Sequence, residues 1–120
     1  MAQKIPPALE AELQKFDTMR RNHETLTTMS QALQTELTEV KGTLEELVKQ
    51  PDDVVVYKSV GQVMFKAEKP ALVEELDDRQ KTLEMRMAST KKQLESLTEK
   101  LQELQNKIQI ELSKQNLRLQ

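Results

Sequence analysis

Two runs of residues spaced alternately three and four apart flank a short segment bracketed by Pro51 and Pro70. The second run is Val73, Leu76, Gln80, Leu83, Met87, Thr90, Leu94, Leu97, Leu101, Leu104 and Ile108. The first is Met19, His23, Leu26, Ser30, Leu33, Leu37, Val40, Leu44 and Leu47, and it continues past a one-residue slip near Phe16 to Leu13 and Leu9. Heptads sustained this long mean helices that supercoil on a partner. If the chain folds back at its middle, antiparallel partners have position numbers with a constant sum. Leu47 with Val73, Leu44 with Leu76, Leu37 with Leu83, Leu33 with Met87, Leu26 with Leu94 and Phe16 with Leu104 all sum to 120, and Ser30 falls opposite Thr90. Val40 with Gln80 and His23 with Leu97 are unmatched layers under the same rule. The fold axis lies near Val60.

The spacing predicts one helix over 7–50 and a second over 70–115, in a single domain spanning 1–120. Pro7 suits the first turn of a helix, where no backbone N–H is needed; Pro51 ends the first helix, Asp52-Asp53 turns the chain, and Pro70 opens the second. At 1.5 Å per residue each helix is roughly 65–70 Å long, too long for an ordinary single-domain core. Gly42 is a local blemish, costing about 1 kcal/mol relative to Ala in a helix interior. Composition agrees: aromatic residues are 2% and charged residues 32%, with no Cys or Trp. That suits a coiled coil better than a globular core. The fold class expected is mainly α, a long antiparallel two-helix coiled coil joined by one central β-hairpin.

The hairpin candidate is VVVYKSVGQVMFK, Val54 to Lys66. It holds the only Tyr and one of the two Phe residues. Alternation puts Val54, Val56 and Lys58 on one face and Val55 and Tyr57 on the other. On the return strand Val63 and Phe65 oppose Met64 and Lys66, so both faces are largely apolar. Ser59-Val60-Gly61-Gln62 is the expected turn, with Gly61 able to take φ > 0. A lone two-stranded hairpin is marginal in water, and both its strands are edges that template further pairing. The reading is an assembly device, in which Val54, Val55, Val56, Tyr57, Val60, Gly61, Val63, Met64 and Phe65 join several chains into a closed sheet or barrel. The alternative is a hairpin packed back on its own coiled coil.

At the helix termini, roughly 60 Å or more from the hairpin by helix length, the seam degrades. Ile5, Leu9, Leu13 and Phe16 face Ile108, Ile110, Leu112, Leu117 and Leu119. Ile108, Ile110 and Leu112 cannot all lie on one narrow stripe. Surplus apolar residues at a splayed end mark a surface for apolar ligands, with Met19 and Met29 as adaptable contacts. Ordinary fraying of the helix ends is the competing account.

Catalysis finds no footing. His23 is the only histidine and sits on the seam, without Cys or a second His for a metal site. Glu74-Glu75 with Asp77-Asp78 is a solvated helix face rather than a pocket with paired carboxylates. Two glycines cannot supply a phosphate-cradling loop. Net charge is −2, and no basic block with aromatic residues suggests nucleic acid. No run is apolar enough to span a membrane, and MAQKIPPALEAELQKF lacks the apolar stretch of a secretory signal. The absence of Cys is compatible with a reducing, cytoplasmic location.

The central PDDVVVYKSVGQVMFK, the single hairpin and the two flanking helices of nearly equal length resemble the β class of prefoldin subunits over essentially the whole chain. Val56-Tyr57-Lys58-Ser59-Val60-Gly61 is the most specific part, and Ile5-Pro6-Pro7 and the stretch Lys69-Pro70-Ala71-Leu72-Val73-Glu74-Glu75-Leu76 also resemble archaeal β subunits. Gln62 departs from a pattern in which many relatives have Pro, and the polar tail SKQNLRLQ has no role fixed by the family. The resemblance implies a hexamer of two α-class and four β-class subunits, built on hairpin β-barrels. It implies an ATP-independent holdase without cofactor that grips unfolded polypeptides through Ile5, Leu9, Leu13, Phe16, Ile108, Ile110, Leu112, Leu117 and Leu119 and passes them to a group II chaperonin. No nucleic-acid or membrane partner is implied. The rival reading is a structural coiled-coil tether or filament subunit whose ends bind nothing unfolded.

Overall fold

The computed structural model describes residues 5–114. Its elements run in the order α1 (Pro7–Val48), β1 (Val56–Val60), β2 (Val63–Ala67) and α2 (Lys69–Lys114). The first helix starts where the prolines allow it. The Pro6 carbonyl accepts from Glu10 N–H at 3.0 Å, so Pro7 is the first helical residue, where a missing N–H costs nothing. In α2 the Glu68 carbonyl accepts from Leu72 N–H at 3.0 Å. That places Lys69 ahead of Pro70, one residue before the expected start.

Helix α1 stops at Val48, short of the expected Gln50. Gln50 N–H closes a tighter turn onto the Leu47 carbonyl at 3.1 Å, and Val54 N–H returns to the Pro51 carbonyl at 3.1 Å across Asp52-Asp53. The strands then begin at Val56 rather than Val54. The hairpin turn is also shorter than predicted: Ser59 pairs with Met64 and Val60 with Val63, leaving Gly61-Gln62 as its two central residues. A two-residue turn matches the twist of the flanking strands when its first residue has φ > 0, and Gly61 has φ 60°.

The chain divides into two compact units. One, the hairpin unit, is Gln31–Ser89; the other, the terminal unit, is Met1–Ser30 with Thr90–Gln120. In the hairpin unit Leu37, Val40 and the fully buried Leu83 form the core, with Leu33, Leu44, Leu76 and Met87 packed against it. These are seam positions, and Leu37/Leu83, Leu33/Met87 and Leu44/Leu76 are pairs expected from the folded-back register. Around them Arg79 Nε donates to Glu36 Oε1 at 2.9 Å, and Lys41 lies 3.9 Å from Glu84. In the terminal unit Leu9, Leu104, Ile108 and Leu112 form the core, with Leu13, Phe16 and Met19 against it. The unmatched His23 gains a polar partner there, a 3.1 Å hydrogen bond between its Nε2 and Thr98 Oγ1.

Candidate functional site

The pairing Val56↔Ala67, Lys58↔Phe65 and Val60↔Val63 sets six residues on one face of the hairpin, while Tyr57↔Lys66 and Ser59↔Met64 set four on the other. The two faces are therefore unequal: five of six residues are apolar on the first, and Tyr57 and Met64 alternate with Ser59 and Lys66 on the second. At the base of the first face Val56 and Ala67 are half-buried, and Lys58 Nζ forms an ion pair with Glu75 of α2. Beyond that base the sheet is largely open among the described residues, apart from a groove that Val56 and Tyr57 share with Leu47 and Leu72. Val60, Val63, Phe65, Tyr57 and Met64 are all more than half exposed. Among the described residues each strand has only the other as neighbour, so both outer edges are without a strand partner there. Its large apolar side chains are thus left largely open rather than buried on its own helices. Val54 and Val55, assigned to the hairpin from sequence, precede β1; Val54 is half-buried and Val55 exposed.

Sequence reasoning missed the residue that holds the hairpin's root. Helix α1 has no basic residue in its last turn. Its orphan carbonyls and negative dipole end favour a cation. Lys69, whose side chain is only 11% exposed, supplies it, donating to the carbonyls of Gln50 at 2.6 Å and Val48 at 3.3 Å and meeting Asp52 Oδ1 at 3.3 Å. The only sequence signal was its place just before Pro70. Gly42 also has a setting: it lines a groove with Leu47, Val55, Tyr57 and Leu72, and a Cβ there would meet no atom within 4 Å.

The expected tip residues divide. Leu9, Ile108 and Leu112 are buried against one another, and Leu13 and Phe16 are half-buried beside them. Ile5 and Ile110 are exposed. Leu117 and Leu119 lie outside the described residues. Burial of both Ile108 and Leu112 has a simple cause: α1 takes a four-residue step from Leu9 to Leu13 while α2 takes one from Ile108 to Leu112, so the two stripes stay in phase. Ile110 then projects off the seam. Glu12 lies inside this end, its Oε1 3.1 Å from Lys107 Nζ and its Oε2 buried without a hydrogen-bond partner.

Two long helices joined by one exposed two-stranded hairpin define the fold class. The family model described as prefoldin subunit matches residues 10–115. The chain is 42% identical to the prefoldin subunit beta of Thermococcus gammatolerans over 110 residues, covering 92% of this chain and 94% of that one. It is 37% identical to the prefoldin subunit beta of Saccharolobus islandicus, covering 95% and 90% respectively. The crystal structure of the prefoldin beta subunit from Thermococcus strain KS-1 superposes with a TM-score of 0.81 at 39% identity, covering 92% of this chain and 97% of that one. The chain belongs to the prefoldin subunit family. It is a β-type chaperone subunit of an assembly of prefoldin subunits, and its family is not enzymatic. Among the described residues no helix is long and apolar enough to cross a membrane.

Proposed function

We propose that this subunit assembles through its hairpin with α-class partners, two α to four β, into an ATP-independent holdase. The complex grips unfolded polypeptides at the ends of its helices and releases them to a group II chaperonin in the cytoplasm. One observation carries the assembly half of this reading: five large apolar side chains stand more than half exposed on a sheet whose two edges are open. Burying what remains of each contributes on the order of 1 kcal/mol, and added strands satisfy the edges. Among the described residues Ile5 and Ile110 are the outward apolar contacts that support the holding half. Leu9, Ile108 and Leu112 become available to a client only as the helix ends part.

The test is native mass spectrometry of this chain, alone and with an α-class subunit, followed by a client-aggregation assay without nucleotide. A mixed hexamer containing four copies, and suppressed aggregation at stoichiometric complex, is the expected result. A dimer that ignores the α-class subunit, or unchanged aggregation, returns the tether reading to first place.

A further inference from the structure

The terminal unit carries a second surface, which borders its terminal core. Two adjoining depressions share Leu97 and Lys100 and so form one continuous groove along the helices. Its floor is apolar, made by Leu26, Leu97, Met19 and Leu104. Its rim is basic: Lys15, Lys92, Lys100 and Lys107, against the single carboxylate of Glu103. Lys107 already pairs with Glu12. Among the described residues no carboxylate lies within ion-pair distance of Lys15, Lys92 or Lys100. A chain with a net charge of −2 thus leaves three lysines unneutralised around one apolar trough.

We propose that this groove takes unfolded polypeptide segments in which acidic residues recur every three to four positions among apolar ones, which makes acidic-apolar stretches the preferred clients. The inference rests on the holding reading and names its substrate class. Lys92 and Lys100, both without an ion-pair partner among the described residues, stand eight residues apart, about 12 Å along a helix. An extended segment covers that distance in three to four residues. The matching client therefore has an Asp or Glu every three to four positions, with apolar residues between them to meet the leucine floor. A nucleic acid fits less well, because the lining has no aromatic side chain on which bases can stack.

Three labelled unfolded peptides with identical apolar residues test this by fluorescence anisotropy on the full-length chain, alone and assembled with other prefoldin subunits. One carries Glu, one Lys and one Gln at every fourth position. The Glu peptide should bind about tenfold tighter than the Lys peptide at low salt, the gap narrowing as salt screens it. The doubly reversed variant K92E/K100E should invert the order and leave the Gln peptide within twofold. The neutral K92Q/K100Q should erase the preference, and circular dichroism should show unchanged helicity for both, since these side chains are exposed. Equal binding of the Glu and Lys peptides, with the Gln peptide still held, overturns the groove and spares the holding function. Failure to bind any peptide overturns both. Loss of the Glu preference on assembly makes the groove a subunit contact instead, and tighter binding of single-stranded oligo-dA than of the Glu peptide makes it a nucleic-acid surface. Either overturns the proposal.

Discussion

The hairpin unit and the terminal unit each bury heptad apolar residues and present surfaces of different character. The hairpin unit buries Leu37, Val40 and Leu83 between its helices and then displays Tyr57, Val60, Val63, Met64 and Phe65 on a sheet too small to cover itself. The terminal unit buries Leu9, Ile108 and Leu112 of its surplus apolar residues and presents lysines. The difference is one of secondary structure. A strand sends alternate side chains to opposite faces, so a lone hairpin cannot hide both. A helix pair can bring an extra apolar residue onto the seam by a four-residue step, as Leu13 and Leu112 show.

The largest expected effect breaks the comparison at the sheet. Changing Tyr57 and Phe65 together to Asp puts charge into what the proposed assembly buries, which is costly when unpaired. Oligomers should vanish in native mass spectrometry while helicity persists; an unchanged mass means the exposed face has no role in assembly. Next, Leu83→Ala empties a fully buried position and should cost about 2–5 kcal/mol. The same change at Ile110, which is 56% exposed, should stay within about 0.5 kcal/mol, as denaturant melts of the two variants can compare. Lys69→Met strips three polar contacts from the root of the hairpin and should cost about 1–3 kcal/mol, with weaker assembly as its companion. A Lys69→Met variant as stable as the parent would make those contacts incidental.

A subtler probe is Gly42→Ala. It should stabilise the isolated chain by about 1 kcal/mol, because nothing lies within 4 Å of the new methyl. Stabilisation of the chain with weakening of the complex would show a neighbouring subunit in that groove. The smallest change in stability belongs to Ile5→Ser with Ile110→Ser. Melting should shift little, yet protection of an aggregating client should fall; full protection would move client contact off these two side chains, toward the groove or the buried cluster.

Much of this was legible in the residues. The constant sum of 120 across the seam predicted which leucines share a core, because a heptad repeat is a one-dimensional code for a one-dimensional interface. Gly61 marked the turn, and Pro51 and Pro70 bracketed the non-helical centre. The strand limits were less legible, since valines that precede β1 look like valines within it. Lys69 was invisible as a clamp: its partners are backbone carbonyls at the end of another helix, which have no side-chain signature.

What the sequence by itself determined is the pairing of two long helices around one hairpin, and with it the family, because period and punctuation are local properties that no long-range contact needs to rescue. What only the tertiary structure decided is which apolar residues are spare. Leu9, Ile108 and Leu112 looked like surplus and are buried; Ile110, two positions from either neighbour on α2, stays outside. That outcome depends on the relative phase of two helices where their heptads slip, and phase between helices exists only once they are packed. The basic groove has the same origin, since Lys15 and Lys107 come from opposite ends of the chain and share a rim only because it folds back on itself.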